Sequence, residues 1–299
     1  MSNNLSYLNN ALRRSRDNKT LPVISILVGT IFWGLLWWPL KFFSQVGLTG
    51  NLIGMTAYSM VGILAIPILW RQKKIWGEEW FLLLLIGLFY AVANITFTTA
   101  LIKGEVVRVM LLFYLLPAWG AIGGVLILGE KLSKQRCLAI AVSLIGVFVI
   151  MGGTSIISQS FSMVDMMALT AGLCLSATGV VNKMATKIPM ASRSFVPFIF
   201  CPPLATLANY FVPTPMPELD TITWILLTTF AFIWLFGATV FNTYGLANIE
   251  ASRASVLQVT ELFVAIITAM VIGGEVLEMK EYIGGTLIVA ATLIEAVEI

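Results

Sequence analysis

The chain is 299 residues long, 59% hydrophobic and 11% charged, with a net charge of +3 and a mean hydropathy of +0.93. Soluble proteins carry about 25% charged residues, so this composition excludes a water-soluble globular domain as the main body of the chain. Histidine is absent, which removes the commonest general base and the commonest metal ligand; no catalytic residue, metal or cofactor is expected.

A membrane-spanning helix needs about 20 mostly apolar residues. Ten stretches qualify, near 22–43, 52–70, 79–102, 105–128, 136–153, 164–184, 193–212, 222–246, 250–273 and 281–298. They are continuously apolar rather than alternating, which fits helices and not the strands of a barrel. Residues 1–21 form a basic segment ahead of the first run. That run is longer than the core of a signal peptide and is expected to stay as a helix. The connections are short, the longest about ten residues, and no G-x-x-x-x-G-K-[ST] loop occurs, so no soluble catalytic or ATP-binding domain is expected. Cys137, Cys174 and Cys201 lie far apart in apolar runs and read as small buried hydrophobes.

Lysine and arginine collect on the cytoplasmic side of membrane proteins. With the N-terminus inside, fourteen of them fall on inner segments, and only Lys41, Lys103, Arg108 and Lys280 fall outside. Both termini are therefore expected in the cytoplasm. A repeat organises the chain as well. Glu105-x-x-Arg108, an apolar run and Gly129-Glu130 recur 145 positions later as Glu250-x-x-Arg253, an apolar run and Gly274-Glu275. Gly34 with Lys41, and Ser176 with Lys183, share a seven-residue spacing more weakly. Internal repeats in hydrophobic chains are the trace of transporters built from two copies of one unit. The expected fold is all-α and integral to the membrane: ten transmembrane helices as two repeats, 22–153 and 154–299. Five helices per repeat is an odd number, so the second repeat is inverted.

Candidate chemistry follows along the spans. Tyr90, Asn94 and Thr98 make a polar line at i, i+4, i+8 on the third, and Thr239, Asn242 and Thr243 occupy nearby repeat-equivalent positions on the eighth. Such a line is costly against lipid and should face protein or a cavity. Glu105 and Arg108, with Glu250 and Arg253, start the fourth and ninth spans on opposite membrane faces. They read either as helix starts and membrane-edge anchors or as parts of alternate gates. Glycines 129 and 274 end helices, which leaves Glu130 and Glu275 in the headgroup zone. Gly120 and Gly124 match Ala265 and Ala269 and read as close helix packing. Pro197, Pro202 and Pro203 should bend the seventh span. On the ninth, Ser255, Gln258 and Glu261 share one face, with Glu261 near the bilayer centre. An acid there costs roughly 2.5–3.5 kcal/mol. It is either a neutral interhelical glutamic acid, or a cavity group that contacts a substrate ammonium or carries a coupling proton.

Trp33-Gly34 with Lys41, Leu111-Leu112 through Pro117 to Gly129-Glu130, and Ala254 through Glu261 to Gly274-Glu275 together resemble the drug/metabolite transporter superfamily, within it the EamA-type ten-helix carriers. The resemblance covers the chain from residue 22 onward. It departs from the family pattern at Leu262, where proline is frequent, and at Leu175-Ser176, where a Trp-Gly-like pair would echo the first span. It implies a carrier of amino acids, other metabolites or drugs, with export the implied direction. It also implies a pathway beside the first span, which makes Trp33 and Trp37 candidate substrate contacts. A secondary transporter in the cytoplasmic (inner) membrane is expected, working by alternating access as a functional monomer. Its partners would be a small-molecule substrate and the lipid bilayer, with no nucleic acid. An amino acid or related amphipathic or aromatic solute fits one acid, amides, hydroxyls and aromatics, while phosphorylated solutes lack the basic residues they need mid-membrane. A quaternary amine or cationic drug, drawn by aromatic faces, is the alternative. A non-transporting membrane scaffold or receptor is the reading from another class.

Overall fold

A computed structural model describes residues 20–131, 133–150, 162–249 and 251–298. The basic segment up to residue 19, the junction of the two predicted repeats and Glu250 lie outside the described residues. Every regular element among those described is helical. In chain order they are α1 (Thr20–Gly34), α2 (Trp37–Gln45), α3 (Gly50–Gln72), α4 (Trp80–Lys103), α5 (Val106–Phe113), α6 (Leu116–Leu128), α7 (Lys134–Ile150), α8 (Met163–Met184), α9 (Met190–Phe195), α10 (Pro197–Phe211), α11 (Thr221–Thr229), α12 (Gly237–Asn248), α13 (Ala251–Val271) and α14 (Met279–Glu298). Seven stretches among the described residues are long and apolar enough to cross a membrane: Thr20–Gln45, Gly50–Gln72, Gly77–Lys103, Val106–Leu128, Met163–Met184, Met190–Phe211 and Thr221–Asn248. The fifth and ninth predicted spans appear as the shorter apolar helices Cys137–Ile150 and Leu257–Val271, and α14 covers the tenth.

Three predicted spans are broken helices. Turns at Leu35–Leu36 separate α1 from α2, and turns at Tyr114–Leu115 separate α5 from α6. Val196 separates α9 from α10. Pro117 and Pro197 sit at the starts of α6 and α10, where a missing N–H costs nothing. The bend expected of the seventh span falls before Pro197, while Pro202 and Pro203 stay inside α10. A stretch of wider, π-helical turns at Phe230–Phe236 joins α11 to α12. With Leu262 in place of a proline, α13 runs unbroken.

The two halves interlock, and their contacts come as matched sets. α4 packs on α8 as α12 packs on α1, and α6 packs on α8 as α13 packs on α1. The pairs α3–α10, α7–α14 and α5–α13 are each their own mirror. Close crossings depend on missing side chains. A Cβ at Gly34 would stand 2.6 Å from the Glu261 carbonyl oxygen and 2.8 Å from the Val264 Cβ. One at Gly172 would stand 2.6 Å from the Phe113 carbonyl oxygen. Gly120 is different: nothing lies within 4 Å of its Cβ direction, and at Gly124 the nearest atom is the Glu130 carboxylate. The close packing expected of that glycine pair is therefore corrected. α6 is open at Gly120, whereas the matching Ala265 on α13 is fully buried. Replacing Gly34 with leucine should force α1 off α13 and destabilise the fold by about 1–3 kcal/mol or more, readable as a lowered midpoint of denaturant unfolding in mixed micelles.

Candidate functional site

A cavity of about 520 Å³ lies between the halves, within the usual range for small-molecule sites. Its central wall is built from repeat-related pairs: Trp33 with Leu175, Asn94 with Thr239, Phe97 with Asn242, Phe113 with Gln258 and Leu116 with Glu261. Each pair keeps the 142- or 145-residue offset of the sequence repeat. Away from the centre the pairing fails in one direction. Gly179, Asn182, Thr243 and Leu246 line the cavity, whereas their mates Trp37, Leu40, Thr98 and Leu101 are buried at 4% exposure or less. One end of the pathway is open and the other is packed shut.

Eight of the ten expected binding residues meet on this wall: Trp33, Tyr90, Asn94, Thr239, Asn242, Thr243, Gln258 and Glu261. Trp37 and Thr98 do not. The Trp37 Nε1–H donates to Thr268 Oγ1 at 3.0 Å, and the Thr98 hydroxyl donates to the Asn94 carbonyl at 2.8 Å. Both belong to the packed end. Asn94 is nearly buried, donates to the Tyr58 hydroxyl through Nδ2 and leaves Oδ1 without a partner; Asn242 Oδ1 is likewise unpartnered. Buried amide oxygens of this kind are costly unless something donates to them; that of Asn242 lies against Gly29 of α1. Glu261 is partly open to the cavity. The Tyr114 hydroxyl sits against its carboxyl and donates to the Gln258 carbonyl at 3.4 Å. Among the described residues no group of three Cys, Asp or Glu side chains comes together to hold a metal ion.

The packed end is fastened across the halves. Lys41 pairs with Glu275 at 3.1 Å. The same carboxylate accepts from the Val106 and Val107 backbone N–H groups at 2.8 and 2.9 Å, capping α5 where unpaired amides and the helix dipole favour a negative charge. Gly129 and Gly274 both take φ of +68°, a left-handed turn that brings the following glutamate back towards the helices. Glu275 is thus an interhalf clasp rather than a headgroup contact, a correction of the reading from sequence. Glu105, expected to suit that helix start, is exposed and makes no side-chain cap. Arg108 instead makes a two-pronged bridge to Asp165 at 2.7 and 3.1 Å, joining the same end. At the opposite end Lys183 reaches Glu130 at 3.1 Å, the repeat-related counterpart of the Lys41 pair. Glu250 lies outside the described residues, and of the Arg253 side chain nothing is described.

Sequence reasoning missed Asn182 and Arg193 at the cavity, and Tyr58 and Tyr114 buried behind it against Asn94 and Glu261. Tyr114 carried one signal, standing two positions before Leu116, the repeat mate of Glu261. Arg193 carried none and was counted with the cytoplasmic charges.

A family model described as the EamA-like transporter family matches twice, over residues 20–152 and 162–295. A solved crystal structure described only as that of a protein aligns with a TM-score of 0.60 at 15% identity, covering 92% of this chain and 95% of its own. That likeness speaks for the fold alone. Among curated proteins there is no match.

Proposed function

The chain belongs to the EamA-like transporter family, and on that premise we propose a secondary transporter that carries a small zwitterionic or amphipathic metabolite, an amino acid or a close relative, out of the cell through the inner membrane. It has ten spanning helices in two inverted repeats of residues 22–153 and 154–299, with both termini cytoplasmic. The observation that carries this reading is the unequal burial of repeat-related positions: Thr243 and Leu246 line the cavity while Thr98 and Leu101 are buried. Two copies of one unit, alike in sequence and unlike in exposure, are what a pathway open at one end at a time requires. With lysine and arginine counted as cytoplasmic, the open end faces the cytoplasm. Trp37 and Thr98 then join the wall in the opposite state, in which the Lys41–Glu275 clasp is released.

Counterflow of labelled solutes in proteoliposomes tests the function: exchange of any amino acid, peptide or amine above empty vesicles supports a carrier, and none across a broad panel favours a scaffold. The gating part has its own test. In a chain whose three native cysteines are replaced, a cysteine at Thr98 should resist a membrane-impermeant maleimide added outside. Adding Glu275→Gln, which weakens both the pair with Lys41 and the cap on α5, should raise its labelling rate roughly tenfold, as expected for a charge-assisted contact of about 1.5 kcal/mol. An unchanged rate would remove the clasp from the gate.

A further inference from the structure

Two charged side chains line the cavity, Glu261 and Arg193; the rest of its lining is neutral. They stand at different depths. The central level is marked by Gly34 against the Glu261 carbonyl and by its repeat mate Ser176, whose hydroxyl donates to the Leu116 carbonyl. Arg193 is held lower, its Nη1 donating to the Asn182 carbonyl at 2.9 Å. Asn182 lies six residues beyond Ser176 in α8, which at 1.5 Å per residue is about 9 Å along the axis. The wall between carries Leu175, Thr178 and Gly179, with Phe113 and Leu116 facing them.

The guanidinium is half-buried and under-used. Its Nε is buried and has no acceptor, and no ion pair joins it to a carboxylate among the described residues. Glu79, the charge nearest to it in effect, already accepts from the Thr186 hydroxyl at 3.3 Å and the Lys187 N–H at 2.9 Å. A planar fork with spare donors is the side chain that best matches a carboxylate.

We propose that Arg193 is the carboxylate contact of the transported solute, and that this solute is a zwitterion whose amine and carboxylate lie well apart, a di- or tripeptide in length. The amine goes to Glu261, the carboxylate to Arg193, and the apolar side chains lie against Trp33, Phe97 and Phe113. A single α-amino acid does not span about 9 Å, whereas two or three extended residues, at roughly 3.3–3.6 Å each, approach it. The volume of about 520 Å³ leaves room for such a solute. The inference rests on the transporter reading above and narrows its substrate class.

The test measures binding of three probes to the purified full chain in nanodiscs: phenylalanyl-alanine, its C-terminal amide and phenylalanine. Wild type should bind the dipeptide at least about tenfold more tightly than the amide, the loss expected of a charge-assisted hydrogen bond, and more tightly than phenylalanine. Arg193→Gln should bring the acid-over-amide ratio down to about one, and Arg193→Lys should restore part of it. A strut that merely holds α8 to α9 would instead weaken all three probes alike, and that result overturns the proposal. So does equal binding of acid and amide by wild type, or binding of none of the probes. If phenethylamine exchanges in counterflow while no carboxylate-bearing probe binds, the transporter reading stands and the role of Arg193 falls.

Discussion

Substituting Glu261 with glutamine is expected to cut transport of amine-bearing solutes by about 30- to 150-fold, the loss of an interaction with a charged partner worth roughly 2–3 kcal/mol. Glutamine keeps the shape, the contact with Tyr114 and the close approach of Gly34 to the α13 backbone, so the fold should persist. The same change separates the two cavity roles of this side chain. If the carboxyl carries a coupling proton, the dependence of wild-type counterflow on pH disappears in Glu261→Gln. If it only receives the ammonium, affinity falls and the pH profile of the residual transport keeps its shape. Wild-type rates with an unaltered pH profile would leave a neutral interhelical acid as the remaining account.

The largest stability effect is expected at Asp165. Its side chain is 3% exposed and its partner Arg108 26% exposed, and the same carboxylate accepts from the Ser162 N–H to complete the capping box of α8. Asp165→Ala strands a largely buried guanidinium and uncaps a helix, so a loss of roughly 3 kcal/mol or more is expected. Unfolding by denaturant in mixed micelles reads it directly. Lys183→Ala provides the contrast. That lysine is 59% exposed and Glu130 29%, and an exposed pair is worth about 0–1 kcal/mol, so the midpoint should barely move. Equal losses in the two variants would mean that burial does not rank these bridges.

Much of the architecture was legible because hydropathy and repetition are properties of the linear chain. The repeat offset put Asn94 with Thr239 and Leu116 with Glu261 before any geometry was known, and both members of each pair line the cavity. Three things were not legible, each for a physical reason. Repeat-related residues are equivalent by sequence, so nothing in Trp37 and Thr98 says that their end is the packed one. The break at Leu35–Leu36 has no proline to announce it; it follows from how α1 and α2 pack around the other half. Arg193 reads as one more cytoplasmic charge until the turn at Val196 swings α9 against the cavity, and a side chain's reach into a cavity is not a linear property. The Gly-Glu repeat did carry its signal, but the left-handed turn that aims the glutamate became visible only in three dimensions.

The Glu275 clasp also orders events in time. The lysine and the two amides that it fastens lie in the first half, and Glu275 follows Lys41 by 234 residues. At roughly 5–20 residues per second, a ribosome needs on the order of 10–50 s to travel from one to the other. Through that interval the end of α2 waits in the bilayer without its counter-charge, and the start of α5, 169 residues before Glu275, waits for roughly 8–34 s. The first half is therefore a nascent intermediate with an unfinished edge, and the last loop of the chain is the stitch that closes it.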